Sequence, residues 1–144
     1  MKEYKTIKET EEEITDEFSL FDNWEEKYEY IIDLGKKLEP LDDKFKVGEN
    51  IIKGCQSTVW LTSEFRGGKV FYKADSDAII VKGLVSMLIK VLSGHEPDEI
   101  LDAKLDFIKD IGMMTHLAQT RSNGLLAMVK QIKNYALAYK SVNA

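Results

Sequence analysis

One cysteine, two histidines and two prolines among 144 residues leave little for several kinds of chemistry to use. A lone thiol, Cys55, has no intrachain partner, so a disulfide framework is excluded, and so is a multi-cysteine metal site. Zinc takes about four ligands, and Cys55 with His95 and His116 is a thin set. A Cys-His hydrolase would need a histidine beside Cys55 in space. His95 reads instead as an exposed helix-end residue, and His116 as part of a turn on a partly buried face. No glycine-rich phosphate loop of either common spacing is present. The net charge of −5 argues against binding a phosphate backbone, and no nucleic-acid partner is expected. The most apolar run, from Ile79 to Leu92, is interrupted by Lys82, Ser86 and Lys90 and is too short to span a bilayer. The first residues, Met1 to Thr6, lead into an acidic stretch rather than an apolar core, so neither a signal peptide nor a membrane partner is expected. The reading is a cytoplasmic, reducing setting in which a free thiol survives.

Residues 1–144 read as one domain, long enough to bury roughly two-thirds of its unfolded surface. Residues 1–17 carry seven acidic and three lysine side chains, and 121–144 carry four basic and no acidic ones. The spacing predicts a charged, mobile N-terminal helix within 1–20. A second helix starts at Asn23, whose side chain can cap it, and carries Trp24, Tyr28, Ile31, Gly35 and Leu38 on one face until Pro40. The period then changes to two. Val59, Leu61 and Phe65 face one way, Gly67-Gly68 marks a tight hairpin, and Lys69 to Ala74 return as the partner strand. Ile51-Ile52 adds a short third strand, so a three-stranded antiparallel sheet with one covered face is expected, in an α+β fold. Ala78 to Ser93 is apolar nearly all round, the mark of a central helix. Gly83 within it would cost about 1 kcal/mol against alanine unless a neighbour packs closely on it. Asp75 and Asp77 read as capping and dipole-compensating residues in preference to a metal or acid/base dyad. A last helix is expected from near Gly124, with Leu125, Met128, Val129, Ile132, Tyr135 and Tyr139 on its apolar stripe.

Cys55 is either an inert core residue or a reactive thiol, and its surroundings favour the second. Gly54 lets the backbone bend sharply, and Gln56 and Ser57 are small polar residues ahead of the strand at Val59-Trp60. The sulfur therefore belongs at a strand edge or loop tip.

Four blocks carry a resemblance. They are Asn23 to Tyr28 with Ile31 to Gly35; Gly54-Cys55-Gln56-Ser57 with Val59-Trp60; Asp75 to Ala78 with Ile80 to Leu84; and Arg121 to Leu125 with Ala127-Met128. In this order and spacing, from Phe21 to Ala136, the chain resembles the SufE family of sulfur-acceptor proteins, which serve iron–sulfur cluster assembly. Where that family usually carries Thr-Pro-Ser before the arginine, this chain has Ala118-Gln119-Thr120, and the acidic stretch from Glu9 to Glu17 matches no family motif. The resemblance implies a small three-stranded antiparallel sheet covered by helices, as in the scaffolds of the IscU and NifU type. It implies that Cys55 takes sulfur from the persulfide of a cysteine desulfurase, SufS-like or CsdA-like, stimulates that enzyme, and passes the sulfur to an iron–sulfur scaffold. Pyridoxal phosphate belongs to the desulfurase; no cofactor or metal is expected on this chain. Gly54, Gln56, Ser57, Trp60 and Arg121 are the expected supports of the cysteine loop, with Lys53 and Arg121 as candidate counter-charges to a thiolate, and Asp77 is an expected partner-binding residue. An iron–sulfur scaffold would need three cysteines. A regulatory module that binds a desulfurase without carrying sulfur is the alternative.

Overall fold

In the computed structural model, which describes residues 5–142, seven helices and one β-hairpin pack around a single core. Residues Met1 to Tyr4, part of the leader reading above, lie outside the described residues. Helix α1 (Ile7–Ser19) opens with a reciprocal cap: the Thr6 hydroxyl accepts from Glu9 N–H, and the Glu9 carboxylate accepts from Thr6 N–H. The charged helix still owns an apolar face. Ile14 and Phe18, four residues apart, are fully buried, each a stabilisation of about 1.5–3 kcal/mol. That face packs on α3 (Ile79–Leu92) and α5 (Phe107–Asp110).

Helix α2 (Trp24–Lys36) starts where expected, with Asn23 Oδ1 accepting from Glu26 N–H at 2.9 Å. It crosses α3 at a pair of glycines, Gly35 and Gly83, that lets the two backbones touch. A Cβ on Gly35 would lie 2.8 Å from Gly83 N. A Cβ on Gly83 would lie 2.6 Å from Ile31 Cγ2 and closer still to the Ile31 carbonyl oxygen. The close neighbour that Gly83 requires is therefore α2. Ser86 Oγ donates to the Leu34 carbonyl at the same crossing.

Strands β1 (Val59–Arg66) and β2 (Lys69–Ser76) pair antiparallel in the register Val59 with Ser76 to Arg66 with Lys69, closed by Gly67 and Gly68 at positive φ. The expected three-stranded sheet is corrected to two strands. Ile51 and Ile52 form a single bridge, Ile51 to Trp60, before the chain turns at Lys53-Gly54; the 3-10 turn Gly48–Asn50 directly before them leaves no residues to extend the pairing. After α3, the short helices α4 (Pro97–Asp102), α5 and α6 (Met113–His116) lead to the long α7. This helix runs Gln119–Val142, starting five residues before Gly124, and buries Leu125, Met128, Ile132 and Ala136.

Tyrosine hydroxyls tie α7 to the hairpin. Tyr72 donates to the Ile132 carbonyl at 2.7 Å, Tyr135 donates to the Leu61 carbonyl at 3.3 Å, and the Tyr139 and Ser63 hydroxyls lie 2.9 Å apart. Burying these rings without leaving their oxygens unpaired is what makes tyrosine serve in this layer. Among the described residues, no helix is long and apolar enough to cross a membrane.

Candidate functional site: a sheltered thiol beside the start of the last helix

The segment from Lys53 to Thr58 is held chiefly at its ends. At the entry, Ile52 N–H donates to the Val59 carbonyl at 2.9 Å. At the exit, Thr58 N–H donates to the Asp77 carboxylate at 3.1 Å, Asp77 N–H returns a bond to the Thr58 carbonyl, and Ser76 Oγ donates to that same carbonyl at 2.8 Å. Between these anchors Gly54 adopts φ +96°, a left-handed conformation that a β-carbon would strain. A side chain there would also press on Ala127 of α7.

The bend delivers the thiol onto α7. Cys55 is half-buried, and its S–H donates to the Gly124 carbonyl at 3.5 Å. Cys55, Gln56 and Ser57 line a cleft of about 260 Å³, closed on the other side by Val81 of α3 and by Thr120, Arg121 and Met128 of α7. Of the expected loop supports, Gly54, Gln56, Ser57 and Arg121 thus meet at the sulfur or its bend. Trp60 stands apart from the cleft, in β1, with the Lys46 ammonium 5.7 Å from its ring centre. Lys53 is exposed and does not line the cleft. The contribution of Gly124 was hidden because the sequence pattern starts the last helix there. In the structure it lies inside α7 and offers a carbonyl to the sulfur.

The two aspartates have roles other than capping. The N-cap position of α3 is Ala78, whose side chain can cap nothing, and Ser76 Oγ accepts from Ala78 N–H instead. Asp77 closes the cysteine loop. Asp75 lies between Lys46 at 3.1 Å and Lys82 at 3.3 Å. Burial pushes the Asp75 carboxyl up, but hydrogen bonds from Lys46, the Ser76 N–H and Lys82 outweigh it and hold the group below its ordinary value. Neither histidine is at the thiol. His116 stacks on Trp24 with ring centres 4.2 Å apart, and His95 pairs through its backbone with Val70.

Burial pushes the Cys55 thiol above its ordinary value, because the half-dry cleft disfavours the thiolate. In this resting geometry burial, and not a counter-charge from Lys53 or Arg121, sets the direction. The folded chain holds the proton more tightly than the unfolded chain. The resulting stability is present below the unfolded pKa, about 8.5, and is lost as pH rises through the folded value. Alkylation by iodoacetamide is therefore expected to reach its half-maximal rate at higher pH in the native protein than in guanidinium. A native midpoint at or below the denatured one would show that a cation governs the sulfur. A second expectation concerns the loop's exit. Asp77→Ala removes the charged acceptor of Thr58 N–H and should raise labelling of Cys55 by a bulky maleimide by about tenfold. Unchanged labelling would mean that the cleft contact alone holds the loop.

Fold and cleft together define a class: a helix-covered antiparallel hairpin that presents one sheltered thiol. A family model described as "SufE: Fe-S metabolism associated domain" matches residues 12–136. A SufE-like protein of Rhizobium meliloti, itself described as uncharacterized, is 38% identical over 131 residues, covering 87% of this chain and 93% of its own. A SufE-like protein of Synechocystis, also described as uncharacterized, is 38% identical over 127 residues, with 88% and 80% covered. SufE-like protein 1 of Arabidopsis thaliana, described as chloroplastic/mitochondrial, is 44% identical over 112 residues, which are 77% of this chain but 30% of that protein. The solution structure of a hypothetical protein from Thermus thermophilus shares the fold, with a TM-score of 0.75 at 19% identity over 94% of this chain and 97% of that one. The chain belongs to the SufE family, a domain associated with iron–sulfur metabolism.

Proposed function

We propose that this protein is a sulfur acceptor and carrier. Cys55 takes sulfur from the persulfide of a pyridoxal-phosphate-dependent cysteine desulfurase, relieves that enzyme of its product and so stimulates it, and delivers the sulfur to an iron–sulfur scaffold. The observation that carries this reading is the placement of the single thiol: half-buried, on a bend fixed at both ends, facing a cleft with room for an added sulfur atom. A persulfide is readily lost to reductants, and a cleft that shelters the resting sulfur also shelters the loaded one.

The transfer is a displacement of the thiol–disulfide type. The Cys55 thiolate attacks the outer sulfur of the donor's cysteine persulfide. The new S–S bond forms at Cys55, the donor's S–S bond breaks, and the donor cysteine leaves as a thiolate. No net oxidation occurs, because one persulfide and one thiolate become one thiolate and one persulfide. The thiol pKa raised by burial means that the attacking anion is scarce at rest, so docking of the donor has to draw Cys55 out of the cleft or bring a cation to it. Arg121, already on the cleft wall, and Asp77, at the loop's exit, are the residues we assign to that step. A reducing, cytoplasmic setting suits a carrier of this kind.

The test is the intact mass of the protein after mixing with a cysteine desulfurase, pyridoxal phosphate and cysteine, without reductant. A gain of one sulfur, mapped by peptide analysis to Cys55, is expected. No gain with either a SufS-like or a CsdA-like desulfurase would overturn the carrier reading.

A further inference from the structure

Two exposed isoleucines stand at the ends of the cysteine loop. Ile51, 41% exposed, precedes the loop and bridges to Trp60. Ile79, 64% exposed, opens α3 two residues after Asp77, whose carboxylate holds the loop's exit at Thr58. Both are β-branched hydrocarbons left largely open to solvent, and neither belongs to the buried core.

Direct transfer of sulfur fixes what comes near them. The donor's sulfur has to reach bonding distance of Cys55 Sγ, so the donor's surface must cover the loop. A specific interface buries about 800 Å² on each partner, a disc of about 16 Å radius. Ile51 lies four residues from Cys55, so their Cα atoms are at most about 14 Å apart. Ile79 is tied to the loop through the Asp77–Thr58 bonds; Val81, two residues on and so on the opposite side of α3, lines the cysteine cleft, which leaves Ile79 on the outward face of the helix. A donor with a footprint of this size seated on Cys55 reaches Ile51, and it meets Ile79 by extending past the loop's exit at Thr58 and Asp77. Asp75, nearby, is taken by Lys46 and Lys82, and Glu49, exposed two residues before Ile51, places a carboxylate at the rim of the patch. Such a surface suits an apolar contact.

We propose that Ile51 and Ile79 are the apolar anchors on which the persulfide donor docks, one at each end of the cysteine loop. The inference rests on the carrier reading above and adds the surface that makes the transfer selective. A small persulfide needs only access to Cys55, whereas a protein donor must bury the two side chains as well. Sulfur from the first source should be indifferent to them, and sulfur from the second should depend on them.

The experiment compares two donors, a cysteine desulfurase loaded with cysteine and glutathione persulfide. Ile51→Lys and Ile79→Glu are each expected to slow loading of Cys55 from the desulfurase by about tenfold or more, the loss typical of an interface anchor. Loading from glutathione persulfide should stay within about twofold of the original protein, which also shows that the variants are folded. Leu137→Glu is the control, because Leu137 is 52% exposed but lies thirteen residues along α7 from Gly124, about 20 Å away. It should load normally from both donors. Equal desulfurase loading in all three variants and the original protein would overturn the docking surface and leave the carrier reading intact. Parallel loss from both donors would overturn it too, since the isoleucines would then be shaping the thiol. Failure of the original protein to load from the desulfurase would overturn the carrier reading, and the docking surface with it.

Discussion

Cys55→Ser is expected to gain no sulfur from a desulfurase and to lose all stimulation of that enzyme, while folding like the original protein. The oxygen of serine is a far poorer nucleophile toward sulfur than a thiolate and forms no stable bond to it at neutral pH. The displacement therefore fails at its first step. The fold has little reason to change. Cys55 is half-buried and its S–H contact with the Gly124 carbonyl, at 3.5 Å, is weak, so a serine hydroxyl that falls short of that carbonyl still has access to water. The replacement thus removes one weak S–H contact and a modest apolar volume, a change of about 1 kcal/mol or less. Comparing desulfurase turnover with and without the variant measures the effect, and thermal denaturation checks the fold. Retained stimulation would select the other possibility, a regulatory module that binds a desulfurase without carrying sulfur. The two readings share every contact and differ only in whether a covalent bond forms at residue 55.

The second large effect is structural. Gly83→Ala is expected to destabilise the protein by about 3 kcal/mol or more, the upper range for overpacking a core. For a chain of this size that corresponds to a loss of roughly 10 °C in Tm. The new methyl would collide with the Ile31 carbonyl and approach Ile31 Cγ2 to 2.6 Å. Backbone cannot rotate out of the way as a side-chain end can, so α2 and α3 would have to separate. Both helices contribute to the core at this crossing, and separating them would open it along Leu84, Leu88 and Ile31. Gly124→Ala is the useful contrast: a Cβ there would meet Cys55 Sγ at 3.5 Å, an ordinary contact. A Tm within a few degrees of the original for Gly83→Ala would show that the crossing is less tight than its geometry.

Much of this architecture is written in local patterns. The Asn23 cap, the Gly67-Gly68 hairpin and the all-round apolar α3 depend on residues close in sequence, and all three appear where the pattern puts them. Three features were out of reach for the same reason. The third strand stops at one bridge because a turn at Lys53-Gly54 interrupts it, and the glycine that makes the cysteine loop recognisable is the residue that ends the strand. The start of α7 is obscure because Ala118-Gln119-Thr120 offers no Thr-Pro-Ser signal, and the helix begins without one. Asp75 and Asp77 look like caps in isolation. Their actual partners, Lys46, Lys82 and the Thr58 backbone, come from distant segments that only the fold brings together. At the site, the motif located the thiol, but what covers it, the wall of α7 around Gly124, is a tertiary contact and has no local signature.

The tyrosine hydroxyls that join α7 to the hairpin have a dynamic counterpart. Tyr72, Tyr135 and Tyr139 each link a different turn of the helix to a strand, so the hairpin and α7 can separate only together, in an opening close to global unfolding. The cysteine loop belongs to neither partner of that clamp. It is held by a few bonds at its two ends and by one contact with Gly124, and it can open alone at a small fraction of the global free energy. Amide hydrogen exchange would separate the two scales, with slow exchange in β1, β2 and the middle of α7 and fast exchange from Gly54 to Ser57. The molecule is in this sense expected to run two clocks: a frame that opens only near global unfolding, and a short arm that opens and closes on it far more often.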